Sequence, residues 1–542
     1  MQNKLVRPAV CAAPWFCAAL ATLLVALFYG PALGFDLVWD DQIWVNEFRR
    51  HDLPTLLHAN LTGNTLVSYY RPLVAALLSL QLALSQSPVY LHALNIVVHL
   101  CNLLLVIALA RRQRSARPAC LLPLVVALLA IHPVLVEPVV WVSGRFDLIY
   151  TSFLLLALWA ALGIEATPLR FVVVTLAFFA AVCSKESALA YLAVGPLLLA
   201  ALRHAEGVPR SRIAMQAAWH GGALLTAAVA YLALRVFHLQ LTLVRDTAFQ
   251  LQPGGSDGHH LLLVLRTFGT YLQMTLLPLW NLAPLHEMSG KLAVIDGYTG
   301  LGVLALSLAA AGLRWPALLP CTVWALALAP AANLVPFRLD IVQNRYLYFP
   351  LFAAMLALLS TQRAWRFDAR AARLSWLLLA LWLAALAVTN VSIARLWRNG
   401  VTLFSWMVSA EPGSRMALEN LALAHQTAGN FAQAIEVEQR VPDKARSFQG
   451  RLLMARATRD QGDLAGALVL YKTTLATPAY DAAMEVSAMF ELALVQQQLG
   501  DPQSSAAQAA AAEALARQQR VSERLCDYYR QALKSAAPRH GN

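Results

Sequence analysis

Two adjacent carboxylates, Asp40 and Asp41, follow the first apolar segment of the chain and are the clearest candidates for proton transfer. A carboxylate beside a substrate hydroxyl can act as a general base, with its pKa tuned by burial and by a neighbouring charge. If the preceding segment crosses a membrane, the pair lies at the depth of the lipid headgroups. A solvated loop whose acidic residue caps a helix also fits, and the residues leave open which carboxylate would be the base.

A second group of ionisable residues occupies a segment that we interpret as a short outer loop between two apolar blocks: His132, Glu137, Arg145 and Asp147. Apolar residues flank Glu137 on both sides, so we expect its carboxylate to be buried and to need a partner, for which Arg145 or a metal ion is the obvious candidate. A catalytic group and a structural ion pair both fit this pattern. No ligand set is spaced to require a metal, so a divalent ion stays an open question.

Polar residues also recur along one apolar block, at His92, Asn95, His99 and Asn102. In a helix these positions form a single stripe, which we expect to face the interior of a bundle. Hydrogen bonding between helices is favoured over direct contact with a substrate, and the spacing is not that of a zinc site.

Three cationic residues lie near the ends of apolar blocks, on one predicted side of the membrane: Arg71, Lys185 and Arg345. An anionic phosphate at headgroup depth needs fixed cations, and arginine can bind it through two parallel hydrogen bonds. Cationic side chains that extend from span ends towards water are the alternative. Three such cations on one predicted side of the membrane favour a phosphate site.

The elements that must position these residues are apolar helices. The 542 residues are 59% hydrophobic and 13% charged, against about 25% charged in a soluble protein. Residues 10–392 form apolar blocks of about the length that a bilayer-spanning helix needs. We predict about eleven spans, near 10–30, 91–110, 119–140, 147–163, 169–183, 187–202, 214–236, 298–313, 316–331, 347–362 and 374–392. Residues 72–87 and 261–280 are predicted to lie along the outer interface, with a further pair of true spans as the alternative.

Arginines in the short connecting loops set the predicted orientation: Arg111, Arg112, Arg114, Arg117, Arg203, Arg210, Arg212, Arg363, Arg366, Arg370 and Arg373. Cytoplasmic loops are enriched in such residues, which places the N-terminus inside and the C-terminal region outside. This also explains the net charge of +12 without a nucleic-acid partner.

The polar C-terminal region carries an internal repeat. A glycine recurs after 33 and 38 residues, each time followed by an alanine, as Gly429 with Ala434, Gly462 with Ala467 and Gly500 with Ala506. A glycine turn between two helices and a small residue at their crossing are typical of helical repeats of about 34 residues. We predict about three tetratricopeptide-type repeats, with an ordinary helical domain as the alternative. The predicted domains are 1–395 in the membrane, a connector at 396–412 and repeats at 413–535.

Taken together, these segments resemble the transmembrane-and-tetratricopeptide-repeat (TMTC) protein O-mannosyltransferase family. The resemblance rests on residues 132–147 (His-Pro-Val-x-Val-Glu-x-Val-x-Trp-Val-Ser-Gly-Arg-x-Asp), 39–41 (Trp-Asp-Asp), 70–73 (Tyr-Arg-Pro-Leu), 92–99 (two histidines and Asn95), 184–186 (Ser-Lys-Glu) and 345–348 (Arg-Tyr-Leu-Tyr). These motifs occur in the same order in the family, where the repeats also follow the membrane domain. The resemblance covers nearly the whole chain.

The resemblance implies a membrane glycosyltransferase of the GT-C class with a polyprenyl-phosphate sugar donor. By its positions, Asp40 or Asp41 would be the catalytic base and Glu137 a second acidic group. Arg71, Lys185 and Arg345 would hold the donor phosphate. The chain has fewer repeats than the family's animal members, and its short loops are typical of a bacterial inner-membrane protein, with the repeats in the periplasm.

The resulting prediction is an all-α fold, a polytopic GT-C-like bundle followed by a tetratricopeptide-type α-solenoid. The expected activity moves a sugar to an acceptor hydroxyl, of a protein serine or threonine, on the outer face of the membrane. The repeats would bind the acceptor protein or a partner. Lipid A or a polysaccharide as the acceptor, and a non-catalytic membrane scaffold, are the alternatives. A transporter is disfavoured because the spans show no paired halves.

Overall fold

The computed structural model describes residues 13–50, 52–62, 70–112, 121–238, 257–287, 295–334, 341–361, 369–479, 482–519, 521 and 523–536. Among the arginines of the predicted inner loops, Arg114, Arg117, Arg363 and Arg366 lie outside this range, and the side chain of Arg370 is not described. The chain divides into two compact units, Met1–Leu37 with Leu57–Arg398, and Val38–Leu56 with Asn399–Asn542. The second unit thus includes part of the predicted first outer loop.

The described part of the chain is helical apart from one short antiparallel pair of strands, β1 (His286–Glu287) and β2 (Ile341–Val342). Up to Leu396 the helices are α1 (Pro14–Tyr29), α2 (Asp41–Arg50), α3 (Leu53–Thr62), α4 (Pro72–Leu84), α5 (Pro88–Arg111), α6 (Leu121–Ile131), α7 (Val136–Val140), α8 (Arg145–Gly163), α9 (Thr167–Ser184), α10 (Tyr191–Ala205), α11 (Arg210–Ala233), α12 (Asp257–Leu276), α13 (Gly297–Gly312), α14 (Leu319–Leu328), α15 (Tyr348–Ser360) and α16 (Ala369–Leu396).

Seven helical segments of the first unit are long and apolar enough to cross a membrane, within the described residues: Pro14–Gly34, Pro88–Arg111, Val142–Gly163, Thr167–Ser184, Glu186–Ala205, Arg210–Val236 and Arg373–Leu396. A bent pair, Leu121–Ile131 with Pro133–Val140, makes eight if it is one span. The chain is therefore an integral membrane protein. At 13 residues α4 is shorter than the roughly 20 residues that a span needs. The count of about eleven crossings and the predicted orientation stay predictions.

The segment between α6 and α8, which we interpret from the sequence as a short outer loop, is largely helical and buried. A 51° bend separates α6 from the next helical segment, at His132 and Pro133, where proline prevents a continuous helix. Residues 132–147 form 3₁₀ turns, the short helix α7 and the start of α8, and all of them are buried. A Cβ on Gly144 would lie 2.7 Å from the backbone of Pro138, so only glycine permits this close packing. The apolar residues around Glu137 are thus core residues.

The second unit is built largely from antiparallel helix pairs. Its C-terminal helices are α17 (Gly400–Ala410), α18 (Arg415–Thr427), α19 (Phe431–Gln439), α20 (Phe448–Asp460), α21 (Leu464–Leu475), α22 (Ala482–Gln498), α23 (Pro502–Gln518) and α24 (Glu523–Ala536). The three predicted glycines lie in the turns within pairs and have φ of +78° (Gly429), +93° (Gly462) and +82° (Gly500). Glycine adopts this left-handed conformation without strain. The structure is all-helical here, and the assignment to tetratricopeptide repeats remains a prediction.

The predicted small residues at the helix crossings are correct in two of the three pairs. Ala434 and Ala467 are fully buried. Ala506 is exposed, and Ser505 is buried instead. Ser505 lies five residues after its glycine, as do the two buried alanines after theirs. The spacing from the turn, rather than the residue type, therefore determines which side chain lies between the helices.

Candidate functional site

Three ion pairs meet in the first unit where α7, the start of α8, the end of α9 and the turn before α15 pack together. We call this set the ion-pair cluster: Arg71 with Glu186, Lys185 with Asp147, and Arg345 with Glu137. All three cations that the sequence suggests for a phosphate are in this cluster. So are two of the carboxylates from the segment 132–147.

Glu137 is paired with Arg345, and not with Arg145 as the sequence suggests. The Nη1 of Arg345 donates to Glu137 Oε1 at 2.8 Å, across 208 residues of sequence. Glu137 is 1% exposed, and its Oε2 has no hydrogen-bond partner among the described residues. The guanidinium of Arg345 lies 4.9 Å from the ring centroid of Trp141. The ion pair thus packs against the Trp141 ring, and one oxygen of the Glu137 carboxylate can still accept a hydrogen bond.

Lys185 and Asp147 form the most buried pair of the cluster. The Lys185 Nζ lies 2.6 and 2.8 Å from the two carboxylate oxygens of Asp147, and both side chains are at most 4% exposed. The same ammonium lies 4.7 Å from the ring centroid of Tyr346, and Arg345 lies 5.4 Å from that centroid. Both cations therefore contact one electron-rich ring, which favours positive charge on either side of it.

Arg71 immediately precedes α4 and forms a bidentate ion pair with Glu186. Its Nε and Nη2 donate to the two carboxylate oxygens at 3.0 and 2.7 Å. The guanidinium also lies 5.3 Å from the ring centroid of Phe146, which stands between Arg145 and Asp147 in the first turn of α8. This geometry fixes the plane of Arg71. Its side chain is 17% exposed and that of Glu186 is 44% exposed, so this pair is the most accessible of the three.

Arg145 is fully buried, and its guanidinium binds backbone and side-chain oxygens of neighbouring elements. Its Nε donates to the carbonyl oxygen of Val142 and its Nη2 to that of Leu91, each at 3.0 Å. Its Nη1 donates to Gln81 Oε1, and Gln81 donates in turn to the carbonyl oxygen of Tyr90 at 2.8 Å. A single guanidinium thereby joins α4, α5 and the start of α8. This supports the site and places Arg145 among its positioning residues.

The cluster contains three cations and three carboxylates, so its formal charges cancel. Buried charges of opposite sign stabilise one another only while the pairs are intact, and removing one partner leaves an uncompensated charge. An anion that contacts these cations can use the guanidinium hydrogens that the carboxylates leave unused. The Arg345 side chain is 16% exposed, so part of it is reachable. A phosphate ester fits this arrangement because arginine binds phosphate as it binds carboxylate.

Three of the four residues in the polar stripe of α5 make the hydrogen bonds between elements that its spacing favours. Asn95 Nδ2 donates to the carbonyl oxygen of Trp141 at 2.6 Å, and Asn102 Nδ2 donates to the Tyr348 hydroxyl at 3.1 Å. His99 Nδ1 lies 2.8 Å from the same hydroxyl. All of these side chains are buried. The stripe thus ties α5 to the segment after α7 and to α15, both of which border the ion-pair cluster.

The two remaining histidines of the predicted site are also buried. His132 Nε2 donates to the carbonyl oxygen of Thr275 in α12 at 3.1 Å, which fixes the ring at the bend after α6. His92 is 1% exposed, and within the described ranges neither of its ring nitrogens has a hydrogen-bond partner of normal geometry. No group of three His, Cys, Asp or Glu side chains within the described ranges is arranged to hold a metal ion.

Asp40 and Asp41 belong to the second unit and differ in accessibility. Asp41 begins α2, is 1% exposed and accepts a hydrogen bond from the Val38 backbone N–H at 3.3 Å. Asp40 is partly exposed. The residue before them, Trp39, has a φ of +57°, which costs a non-glycine residue on the order of 1–3 kcal/mol. Its ring packs edge-on against Phe404, with centroids 6.1 Å apart.

Sequence reasoning missed three residues that complete the site. Glu186 pairs with Arg71, Tyr346 lies between two cations, and Gln81 holds Arg145. Glu186 and Tyr346 are adjacent in sequence to Lys185 and Arg345, so adjacency to a predicted cation is a signal that could have found them. Gln81 lies in an apolar helix, where a polar residue points to a buried partner.

Comparison of the chain with protein-family models, with curated proteins and with solved structures gives no match.

Proposed function

We propose that this protein is an integral-membrane glycosyltransferase that moves a sugar from a polyprenyl-phosphate donor to an acceptor hydroxyl. The observation that carries the proposal is the ion-pair cluster, in which Arg71, Lys185 and Arg345 lie together at the ends of apolar helices. Three cations at one buried place are expensive unless they serve a ligand or a structural network. The resemblance to the GT-C class supports the first of these.

The proposed reaction is a single displacement at the anomeric carbon. The acceptor oxygen forms a bond to that carbon while the bond from the carbon to the phosphate oxygen breaks, and the electron pair leaves with the phosphate. The acceptor proton passes to a carboxylate. Negative charge accumulates on the departing phosphate, where fixed cations stabilise the transition state more than the ground state. One displacement inverts the anomeric configuration.

We propose Asp40, rather than Asp41, as the proton acceptor. Asp40 is partly exposed, whereas Asp41 is buried and receives the backbone N–H of Val38. A base must reach the acceptor hydroxyl, while a carboxylate already engaged with the backbone is suited to holding the turn. Asp41 is accordingly a positioning residue in this proposal.

Arg345 is the proposed main contact of the donor phosphate, and Glu137 its counter-charge. The ion pair holds the guanidinium in place before the donor binds, which lowers the reorganisation that binding requires. The free Oε2 of Glu137 supplies a hydrogen-bond acceptor beside it, suited to a sugar hydroxyl of the donor. In the second unit, the helix pairs would present a protein acceptor or bind a partner.

The test is intact-mass spectrometry of envelope proteins from cells that express the wild type or single variants. Asp40→Asn is expected to remove a hexose-sized mass from specific proteins, because loss of a general base lowers the rate by about 10²–10⁴-fold. Arg345→Gln is expected to have a similar effect. Asp36→Asn is the matched control, because Asp36 is an exposed carboxylate four residues from Asp40, and this variant should retain glycosylation.

The outcomes separate the alternatives. Loss of the mass in Asp40→Asn, with the variant inserted at the wild-type level, supports a protein glycosyltransferase. If no protein changes mass, the protein acceptor is excluded, and the same cells are then analysed for lipid A and polysaccharide. If those are also unchanged in Asp40→Asn and Arg345→Gln cells, the enzyme proposal fails and the membrane scaffold remains.

A further inference from the structure

A second polar site lies in the first unit, far from the ion-pair cluster. A narrow cleft opens between α8, α9, α10 and α11. The polar and aromatic residues that line it are Thr167, Arg170, Phe171, Gln216, Trp219 and His220. Arg170 lies in the first turn of α9, and Lys185 immediately follows the end of the same helix. Fifteen residues of helix separate them, which is about 22 Å. The cleft and the cluster are thus at opposite ends of α9.

The cleft contains buried polar atoms that the protein does not satisfy. His220 is 4% exposed, and neither of its ring nitrogens has a hydrogen-bond partner in the part of the chain that the structure describes. The Oε1 of Gln216 is also without a partner among these residues. A buried polar group left without a partner costs about 1–3 kcal/mol. These groups are therefore expected to meet a ligand or the ordered water that accompanies it.

The backbone of α10 makes room for His220. A Cβ on Gly195 would lie 3.0 Å from the Nε2 of His220 and 2.7 Å from the Tyr191 ring. The His220 and Tyr191 rings contact edge to face, with centroids 5.8 Å apart. Glycine at this position thus allows the imidazole to sit deep between two helices, facing the cleft. The position of this polar side chain in the cleft therefore follows from the packing of α10 against α11.

The charge of the cleft is positive. Among the described residues that line it, Arg170 is the one charged side chain. Its guanidinium makes two long contacts, at 3.5 Å to the carbonyl oxygen of Ile164 and at 3.4 Å to the Thr167 hydroxyl. These use only part of its five N–H donors. The neighbouring Arg203, by contrast, is paired with Glu206 at 2.8 Å. Arg170 therefore has donors to offer to an anion.

The surroundings of the cleft are those of a membrane surface. Trp219 is 51% exposed and packs edge-on against Phe171, with centroids 6.2 Å apart. Leu169 and Met215, on the two helices that border the opening, are 55% and 56% exposed. Tryptophan beside exposed aliphatic residues is typical of the boundary between headgroups and acyl chains. Basic pockets between membrane helices bind anionic lipid headgroups.

We propose that this cleft binds the phosphate of an anionic glycerophospholipid, in the leaflet opposite to the one that the ion-pair cluster faces. Arg170 donates to the phosphate oxygens, and His220 and Gln216 bind the glycerol or headgroup hydroxyls. Trp219 lies beside the ester region. The site is independent of the proposed enzymatic activity, because it shares no residue with the ion-pair cluster.

The experiment is native mass spectrometry of the purified full chain in detergent, titrated with phosphatidylglycerol, with phosphatidylcholine or with inorganic phosphate. The wild type is expected to retain phosphatidylglycerol selectively. Arg170→Gln is expected to weaken that binding about tenfold, the effect of one charge-assisted contact. Arg212→Gln is the matched control, because Arg212 is an exposed arginine near the start of α11 and does not line the cleft. It should change binding less than twofold.

Further variants distinguish a loss of lipid binding from a folding defect. Arg170→Lys keeps the charge and should restore part of the binding, and His220→Leu should weaken it about fivefold. Equal retention of phosphatidylglycerol by the wild type and by a folded Arg170→Gln would overturn the proposal. Equal retention of phosphatidylcholine would overturn the requirement for an anionic headgroup. Tight retention of inorganic phosphate alone, without lipid preference, would overturn the lipid and identify a site for free phosphate.

Discussion

A buried carboxylate in the second unit makes the stability of that unit depend on pH. Glu438 in α19 is fully buried, and neither of its carboxylate oxygens accepts a hydrogen bond of normal geometry from a residue that the structure describes. Burial and the nearby carboxylate of Glu419 raise the pKa of Glu438 from its usual 4.5 to about 7. The Arg446 Nε, 3.3 Å from Glu438 Oε1, opposes this shift only in part.

The sign of the effect follows from the direction of this shift. The folded state binds the Glu438 proton more tightly than the unfolded state, so the favourable contribution is complete below about pH 4.5 and is lost as the pH rises through about 7. One pKa unit corresponds to about 1.4 kcal/mol. We therefore expect Glu438→Gln, which keeps the shape and removes the charge, to raise the free energy of unfolding of this unit by about 2–3 kcal/mol at pH 8. At pH 4.5 it should change little.

The assay is hydrogen exchange of the amides in α18, α19 and α20, in the detergent-solubilised full chain between pH 5 and 8, corrected for intrinsic exchange. In the wild type the opening free energy should fall as the pH rises, and in Glu438→Gln this slope should be absent. Glu436→Gln is the control, because Glu436 is an exposed glutamate two residues away. A destabilised Glu438→Gln at pH 8, or an unchanged slope, would refute the reasoning.

Three further substitutions test other parts of the packing by thermal unfolding in detergent. Glu491→Ala should destabilise the second unit by about 3–5 kcal/mol, because Glu491 pairs with Arg456 through two 2.8 Å contacts; an unchanged melting temperature would contradict a structural role. Gly144→Ala should prevent normal folding because its Cβ meets the backbone of α7, whereas Gly34→Ala, whose Cβ has no atom of the described residues within 4 Å, should be neutral. Tyr348→Phe should cost about 1–3 kcal/mol because two buried partners in α5 lose their hydrogen bonds; an effect below 0.5 kcal/mol, the size typical of a surface change, would contradict this.

Much of the local structure could be predicted because local forces decide it. A helix between two breakers is set by its own apolar residues, and a glycine after a helix takes the left-handed turn, as Gly429, Gly462 and Gly500 do. The stripe on α5 predicts hydrogen bonds between elements because its polar residues share one face of an apolar helix, and Asn95, His99 and Asn102 make them. The exchange of Ala506 for Ser505 shows the limit of this reasoning, since a shift of one residue moves a side chain by about 100° around the helix.

The site could be predicted in its residues and less well in its contacts. The sequence pointed to Glu137, Asp147, Lys185 and Arg345 as charged residues among apolar ones, and these are paired in the structure. It suggested Arg145 as the partner of Glu137 because the two are close in sequence. The fold instead brings Arg345 to Glu137 from 208 residues away, and no local pattern encodes such a pairing.

The sequence by itself determined the membrane character of the chain, its helical class and the division into apolar and polar regions, because composition and periodicity act over a few turns of helix. Only the tertiary structure decided that residues 132–147 are core rather than loop, that the acidic turn at Asp40 and Asp41 belongs to the second unit, and which carboxylate neutralises which cation. The physical reason is that a charge is buried at a tolerable cost only when a residue of opposite charge pairs with it. Which residue lies close enough to pair depends on how all the helices pack.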